Sequence, residues 1–531
     1  MFKKIALTAL MATTLSTAPA DAKVNIGKNE ITLNSNLMTP EALWAMGRIG
    51  SVTASPNGSK IAYTVSYYSV KENASHTVIY VMNADGSANR QLTTSADSEV
   101  EPAWLQTADG NVIAFLTNGQ IWTMNDDGSN RKQLTKDEND IEGFKFSPDG
   151  KQVIIVKSLP FHEIIQKNPD DLPKATGRKI TDLMYRHWDH YVESIQHPFL
   201  ASVSEDGTIA TANEKDILAG EPYECPGEPF GGMEQLNWSP DSKSIAYTCR
   251  KKTGRDYAVS TDTDIFLYDV ATGTTRNLCK PADYKAPAID YTKTLATQSV
   301  NKASSDINLG YDINPQFSPD GTYVAWQSMA RDGYESDRNR LCIYTLADGS
   351  KKYVTEAFDS NVDDYCWTAD SRTLYFIGVW HGCENMYRTD LNGNVEQITN
   401  EWADFGSLQM LGDKKGSIIA TRHSFSAPDD IYLVTPPKAV KQKGSNTLTL
   451  SAKLATATQL TKENEHILSQ LSLGKVQQRW VKTTDGKEEL VWIILPSNFD
   501  ENKKYPTLLF CEGGPQSPVS QFWSYRWNFQ I

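Results

Sequence analysis

A turn that recurs along this chain constrains its fold more than any other feature. It reads Ser55-Pro56-Asn57-Gly58, Ser147-Pro148-Asp149-Gly150, Ser239-Pro240-Asp241-Ser242 and Ser318-Pro319-Asp320-Gly321, with weaker copies at Thr107-Ala108-Asp109-Gly110 and Thr368-Ala369-Asp370-Ser371. Proline presets φ for the turn, the aspartate side chain caps it, and glycine accepts positive φ. An alternating strand follows each copy, as at Lys60-Ile61-Ala62-Tyr63, Val153-Ile154-Ile155-Val156 and Tyr323-Val324-Ala325-Trp326. A second turn comes at a similar offset: Ala84-Asp85-Gly86, Asp127-Gly128, Thr272-Gly273, Asp348-Gly349 and Asn392-Gly393. Four-stranded meanders repeating every ~40–50 residues mark a β-propeller, with a β-sandwich as the competing all-β arrangement. The spacing predicts about seven blades over residues 50–465, the seventh, from Gly406 to Gln459, weakly marked. The interval from Ser147 to Ser239 is about twice the others, so the third blade is expected to carry an insertion from Ile164 to Pro198.

With 531 residues, the chain is too long for one core. Its net charge of −13 argues against nucleic acid or an anionic membrane as partner. Lys3 and Lys4, the apolar run from Ile5 to Leu15, and the small residues of Ala18-Pro19-Ala20 and Ala20-Asp21-Ala22 predict a signal peptide over 1–22. That run is shorter than the ~20 residues needed to span a bilayer. No cysteine stands near the cleavage site to take a lipid anchor, so a periplasmic or secreted product is expected. The seven cysteines are widely spaced and fit neither a zinc pattern nor a disulfide-dense scaffold. One or two disulfides remain open, and the odd count leaves one thiol over. No cofactor is expected, and a homodimer is left open.

Few segments read as helix. Thr39-Pro40 opens one through Met46, Thr as N-cap and Pro at the first position, within an N-terminal segment 23–49. Thr461 would cap another through Leu471, and the Lys/Ser/Thr-rich stretch from Lys438 to Thr458 reads as a surface hairpin loop.

The pattern changes in the last segment, 466–531. Trp480-Val481-Lys482-Thr483-Thr484-Asp485-Gly486 precedes Leu490-Val491-Trp492-Ile493-Ile494-Leu495-Pro496, and a polar turn leads to the apolar run Tyr505-Pro506-Thr507-Leu508-Leu509-Phe510. Cys511-Glu512-Gly513-Gly514-Pro515 follows, then the aromatic stretch Phe522-Trp523-Ser524-Tyr525-Arg526-Trp527. A buried strand followed by a Gly-Gly-Pro loop is how an α/β-hydrolase domain opens, and glycines there let backbone N–H groups approach an attacked carbonyl.

The signal peptide, the Ser-Pro-Asp-Gly propeller and Tyr505-Pro-x-Leu-Leu-x-Cys-x-Gly-Gly-Pro-Gln516 together resemble the prolyl oligopeptidase family of serine peptidases, and within it the secreted bacterial dipeptidyl-peptidase V type. Further stretches that carry the resemblance are Thr181-Asp182-Leu183-Met184-Tyr185-Arg186-His187-Trp188-Asp189, Arg331-Asp332-Gly333-Tyr334-Glu335-Ser336-Asp337 and Gln521-Phe522-Trp523-Ser524-Tyr525-Arg526-Trp527-Asn528. The resemblance spans essentially the whole chain. It implies a seven-bladed propeller followed by an incomplete α/β-hydrolase domain, and release of dipeptides from free N-termini of short peptides. Gly513, Gly514 and Pro515 would form the oxyanion-side loop, with Glu512 where many relatives carry His. The family's Ser, Asp and His follow this loop in chain order, and no G-x-S-x-G elbow occurs in the sequence. The triad is therefore expected beyond Ile531, this chain is expected to be inert alone, and its apolar strands from about Leu490 onward are expected to be left unpaired.

A dipeptidyl peptidase measures two residues by holding the substrate ammonium with carboxylates. The candidates are Asp189 and Glu193 in the insertion, walled by Tyr185, Trp188 and Tyr191, with Arg186 for a peptide carbonyl and Glu234 in Gly231-Gly232-Met233-Glu234. The bland alternative for each acid is a solvated loop with a satisfied ion pair. His187 and His190 have H-x-x-H spacing, but no metal motif surrounds them. Arg331 to Glu335 reads as an internally paired turn. Two other readings compete: a periplasmic propeller that serves as a binding or scaffold module, and an acylaminoacyl peptidase acting on blocked N-termini.

Overall fold

The computed structural model describes residues 26–107, 110–161, 165–166, 171–295, 298, 307–437, 449–450, 453–511 and 517–531. The signal peptide over 1–22, Glu512 and the loop Gly513-Gly514-Pro515, and residues 108–109 of one weak turn lie outside them. Seven sheets follow one another, each built on four antiparallel strands. They span 48–91, 100–133, 143–216, 236–277, 312–353, 364–397 and 404–459. A propeller results because each sheet twists and buries both faces against its neighbours. The core is accordingly a series of interblade layers. Ile154 meets Leu236, Tyr247 and Phe266, for example, and Leu341 and Ile343 meet Phe376 and Tyr387.

The recurring turn does what its composition predicts. Ser147 Oγ donates to Asp149 Oδ1 at 2.7 Å, Gly150 N closes on Ser147 O at 2.9 Å, and Gly150 has φ +70°. The same geometry links the first two strands around Ser239, Ser318 and Thr368. In the third blade the insertion runs from 161 to 193, between the second strand Gln152–Pro160 and the third strand Ser194–Val203. It ends before Pro198, because Ile195 and Phe199 already point into the core and pair in register with Leu159 and Ile155. Part of the stretch 438–458 lies outside the described residues. Thr449–Leu450 adds a parallel fifth strand to the sixth blade, and Thr456–Gln459 completes the seventh, so neither is hairpin loop.

Alternating strand direction assigns each connection to a rim. Turns between strands one and two, and between three and four, share one rim. Connections between strands two and three, and between blades, share the other. That second rim carries the insertion, the segment 250–263 of the fourth blade and the loop 329–339 of the fifth.

The N-terminal segment also lies there. Helix α1, Pro40–Ala45, is capped by Thr39, whose Oγ1 accepts from Ala42 N at 3.2 Å. On the same rim the fourth blade inserts the short helix α2, Gly254–Val259. Helix α3 is only Glu465–Leu468, shorter than the expected 461–471, because Thr461 Oγ1 is spent on Asp430 and Ile431 rather than on a cap. Asn464 locks the two ends together by bonding both N and O of Gly47 at 2.8 Å. Met38, Leu43, Met46 and Ile467 form a small core with Trp523 and Tyr525.

Beyond α3, Val476–Lys482 pairs with Glu488–Ile494 in a hairpin seated on the rim by Trp492, which stacks edge-on against Trp402 and Phe425. The expected strand at Tyr505–Phe510 does not form. No described strand lies alongside to complete a ladder, and Leu508 and Leu509 stand 80% and 84% exposed. Half of the unpaired-strand expectation therefore holds: 505–510 is unpaired, whereas 488–494 is paired. Residues 517–531 return over the rim, where Gln521 N bonds buried Asp404 Oδ1 at 3.1 Å. All seven cysteines are free thiols, six buried and Cys511 exposed.

Candidate functional site

A cleft of about 560 Å³ opens on the second rim between the fourth and fifth blades. Its walls are Arg250, Ala258, Val259, Tyr311 and the loop Gly333–Ser336. Arg250 follows the strand Ser244–Cys249, and Glu335 lies in the loop after the strand Tyr323–Ser328. Both therefore emerge from equivalent positions of neighbouring blades.

The walls are fixed by a buried acid. Asp332 Oδ1 accepts from Ser260 Oγ at 2.7 Å and Thr261 N at 2.8 Å, and Gly333 N donates to Thr261 Oγ1 at 2.8 Å. Burial pushes the Asp332 carboxyl up, and these donors offset part of that cost. Arg331 forks onto Asp337, with Nε 2.9 Å and 3.0 Å from the two oxygens. The loop is therefore internally paired, as its composition suggests, with one exception. Glu335 has no cation within ion-pair distance among the described residues; Tyr311 Oη donates to it at 3.3 Å. Burial, then the adjacent Glu335, pushes the Tyr311 phenol up to about 12, so it stays a donor.

Arg250 is the opposite charge on the cleft. Its Nη1 donates to Ser260 O at 3.0 Å, its guanidinium lies 3.8 Å over the Tyr257 ring, and its buried Nε has no acceptor among the described residues. A cation and an anion on one cleft, each without an ionic partner, complement a ligand carrying both a donor cation and a carbonyl. A second groove of about 350 Å³ shares Ser336 and is lined by Arg338, Asp359, Ser517 and Pro518. The cleft thus adjoins the chain immediately after the Gly-Gly-Pro loop.

The sequence candidates are dispersed along the same rim. Asp189 is 82% exposed in its side chain and contacts His190 Nδ1 at 3.0 Å. Glu193 pairs with Arg178. Arg186 Nε donates to Trp188 O at 2.8 Å. These three share the hairpin Arg186–His187/His190–Tyr191 and its flank, without bonds among themselves. Glu234 is exposed on the connection into the fourth blade, near Glu101 and Lys145. Burial lowers the Lys145 ammonium to about 8 against the pull of those acids, and it braces Met233 O at 2.8 Å. Residues 186–193 and 234 are thus not brought together. His187 turns inward to Glu224, whereas His190 faces out to Asp189.

Sequence reasoning missed Arg250 and Tyr311 as site residues, and took Glu335 for a paired turn. The available signal was position: connections after second strands share a rim, so a charged run at 250–252 and another at 331–337 belong beside the insertion.

No family model matches the chain. It is 42% identical over 499 residues to the dipeptidyl-peptidase 5 of Porphyromonas gingivalis, covering 93% of this chain and 66% of that protein. It is 38% identical over 506 residues to the dipeptidyl-peptidase 5 of Porphyromonas endodontalis, covering 94% and 66%. The chain therefore spans 66% of the length of these curated relatives. Among solved structures, an acylaminoacyl peptidase in complex with Z-Gly-Gly-Phe-chloromethyl ketone superposes with a TM-score of 0.62 at 16% identity, over 92% of this chain and 64% of that one. The acylaminoacyl peptidase of Pyrococcus horikoshii gives 0.57 at 16% identity, over 88% and 60%. The fold is that of peptidases in which a propeller accompanies a hydrolase domain. The chain belongs to the prolyl oligopeptidase family of serine peptidases.

Proposed function

We propose that this chain supplies the substrate-selecting part of an exported dipeptidyl peptidase that takes short peptides by their free N-termini. The observation that carries the reading is the pair of charges without ionic partners, Glu335 and Arg250, on one cleft beside Ser517-Pro518. Glu335, held by Tyr311, takes the peptide ammonium, and Arg250 takes the first carbonyl. Asp189 and Glu193 on the insertion hairpin, with Arg186, remain the outer anchors for a longer peptide, and Glu234 is a further acid on the same rim. Gly513 and Gly514, outside the described residues, keep the oxyanion-side role that the family resemblance implies. With no G-x-S-x-G elbow among these residues, the reading gives the chain binding and the oxyanion-side loop rather than the nucleophile. The names of the Porphyromonas relatives support dipeptide release over the acylaminoacyl alternative.

Calorimetric titration of this chain with trialanine and N-acetyl-trialanine tests the reading. The free tripeptide is expected to bind at least about tenfold more tightly, and Glu335→Gln to erase the difference. Equal affinity for the acetylated peptide would favour the acylaminoacyl alternative, and no binding of either would favour a scaffold propeller.

A further inference from the structure

The guanidinium that faces the cleft is supported from behind by a buried chain of polar groups that reaches into the insertion. Glu224 is 4% exposed, and both carboxylate oxygens are engaged. Oε2 lies 3.0 Å from His187 Nε2, on the insertion hairpin, and Oε1 accepts from the Tyr257 hydroxyl on α2. The Tyr257 ring lies under the Arg250 guanidinium at 3.8 Å. Burial, with Glu224 adjacent, raises the Tyr257 phenol so that it remains a donor. Met184, Val192 and Ile195 of the insertion and its flank pack against Tyr257, while its neighbours Ala258 and Val259 line the cleft. Helix α2 therefore has the insertion on one side and the binding cavity on the other.

A carboxylate this buried is costly unless both oxygens are satisfied, and well-packed apolar residues would serve stability as well. Its two partners belong to separate elements, and the ring of one, Tyr257, lies against the Arg250 guanidinium. We propose that Glu224 and Tyr257 are positioning residues for Arg250, and that through His187 they tie the blade-three insertion to the cleft. The inference rests on the reading of the cleft as a peptide site. The Glu224–Tyr257 bond sets the ring plane. The ring and Ser260 O then hold the guanidinium facing the cavity by a cation–π contact and one hydrogen bond.

The test is a double-mutant cycle on trialanine affinity, with Kd measured by calorimetry on the full chain. Tyr257→Phe and Glu224→Ala are each expected to weaken binding about fivefold to tenfold, and neither to change Kd further once Arg250→Ala is present. Glu224→Gln keeps an acceptor for the tyrosine and is expected to stay within about twofold of wild type. Equal losses in both backgrounds, or none with Arg250 intact, would overturn the proposal. If Glu224→Ala does not fold, Tyr257→Phe decides. If wild type does not bind trialanine, the reading of the cleft falls separately, and the ¹⁵Nε–H resonance of Arg250 decides the positioning role. It is expected to be sharp and slowly exchanging in wild type and Glu224→Gln but broadened in Tyr257→Phe. An unchanged resonance in Tyr257→Phe would sink the proposal.

Discussion

At the scale of single residues, the two copies of the repeated turn that end in serine have a reason to lack glycine. Ser242 and Ser371 occupy the position glycine takes elsewhere, at φ +61° and +58°. Each accepts a hydrogen bond from the neighbouring turn: Asp149 N to Ser242 Oγ at 3.1 Å and Asp320 N to Ser371 Oγ at 3.0 Å. A left-handed serine costs on the order of 1 kcal/mol, and an interblade hydrogen bond contributes about as much. A second cluster sits where the tail docks. Glu384 lies beside Asp404, Asp363 and His423; burial and then the two acids push its carboxyl up to about 8. Burial opposes charging His423, yet Asp429 and Asp404 hold it up at about 10. Because the folded pKa of Glu384 exceeds its unfolded value near 4.3, its contribution is full below that value and is lost as pH rises toward 8. Glu384→Gln is therefore expected to melt higher than wild type at pH 9 but equally at pH 4. The same difference at both pH values would count against this assignment.

At the scale of elements, the hairpin 476–494 and the stretch 505–510 share apolar composition and differ in fate. The hairpin satisfies its ladder internally and seats Trp492, whose Nε1 donates to Val519 O at 3.1 Å. The later stretch has no described partner strand, and Leu508, Leu509 and Phe510 are exposed. Chymotrypsin is expected to cut first near Phe510, leaving the propeller intact. In Trp492→Ala, which removes the anchor against Trp402 and Phe425, cleavage is expected to spread into 476–494. Unchanged fragment patterns, followed by mass spectrometry, would mean the hairpin is held by something else. Rim assignment belongs to this scale too. The alternation of strands puts the insertion, α2 and the loop 329–339 together, although they are far apart in the chain.

At the scale of the molecule, the ring has a seam. No sheet among the described residues is shared between the first and seventh blades. Side chains close the circle: Leu411, Ile419 and Ile431 pack with Ile61, Tyr63 and Met82, and Ala54 N donates to Gln409 Oε1 at 2.7 Å. Elsewhere an indole makes the corresponding tie, as Trp238 Nε1 does to Lys145 O at 2.9 Å. Gln409→Ala is expected to destabilise by about 1 kcal/mol, the worth of one hydrogen bond. Native-state hydrogen exchange should speed up in the strands 48–54 and 404–410 before the others. Uniform acceleration around the ring would argue that the seam is no weaker than other blade contacts.

Sequence alone determined the propeller and its blade count, whereas the pairing of 476–482 with 488–494 was not anticipated. Turn chemistry and period-two alternation are local, and each blade repeats them within a few dozen residues. It also marked the insertion as a source of site candidates, since the doubled interval from Ser147 to Ser239 is a matter of counting. Only the tertiary structure assembled the cleft. Arg250, Tyr311 and Glu335 come from separate connections, and their meaning depends on which charges nearby are already paired. Asp332 and Asp337 are spent on Ser260, Thr261 and Arg331, whereas Glu335 is not. Pairing of that kind depends on distance through space, and sequence spacing does not encode it.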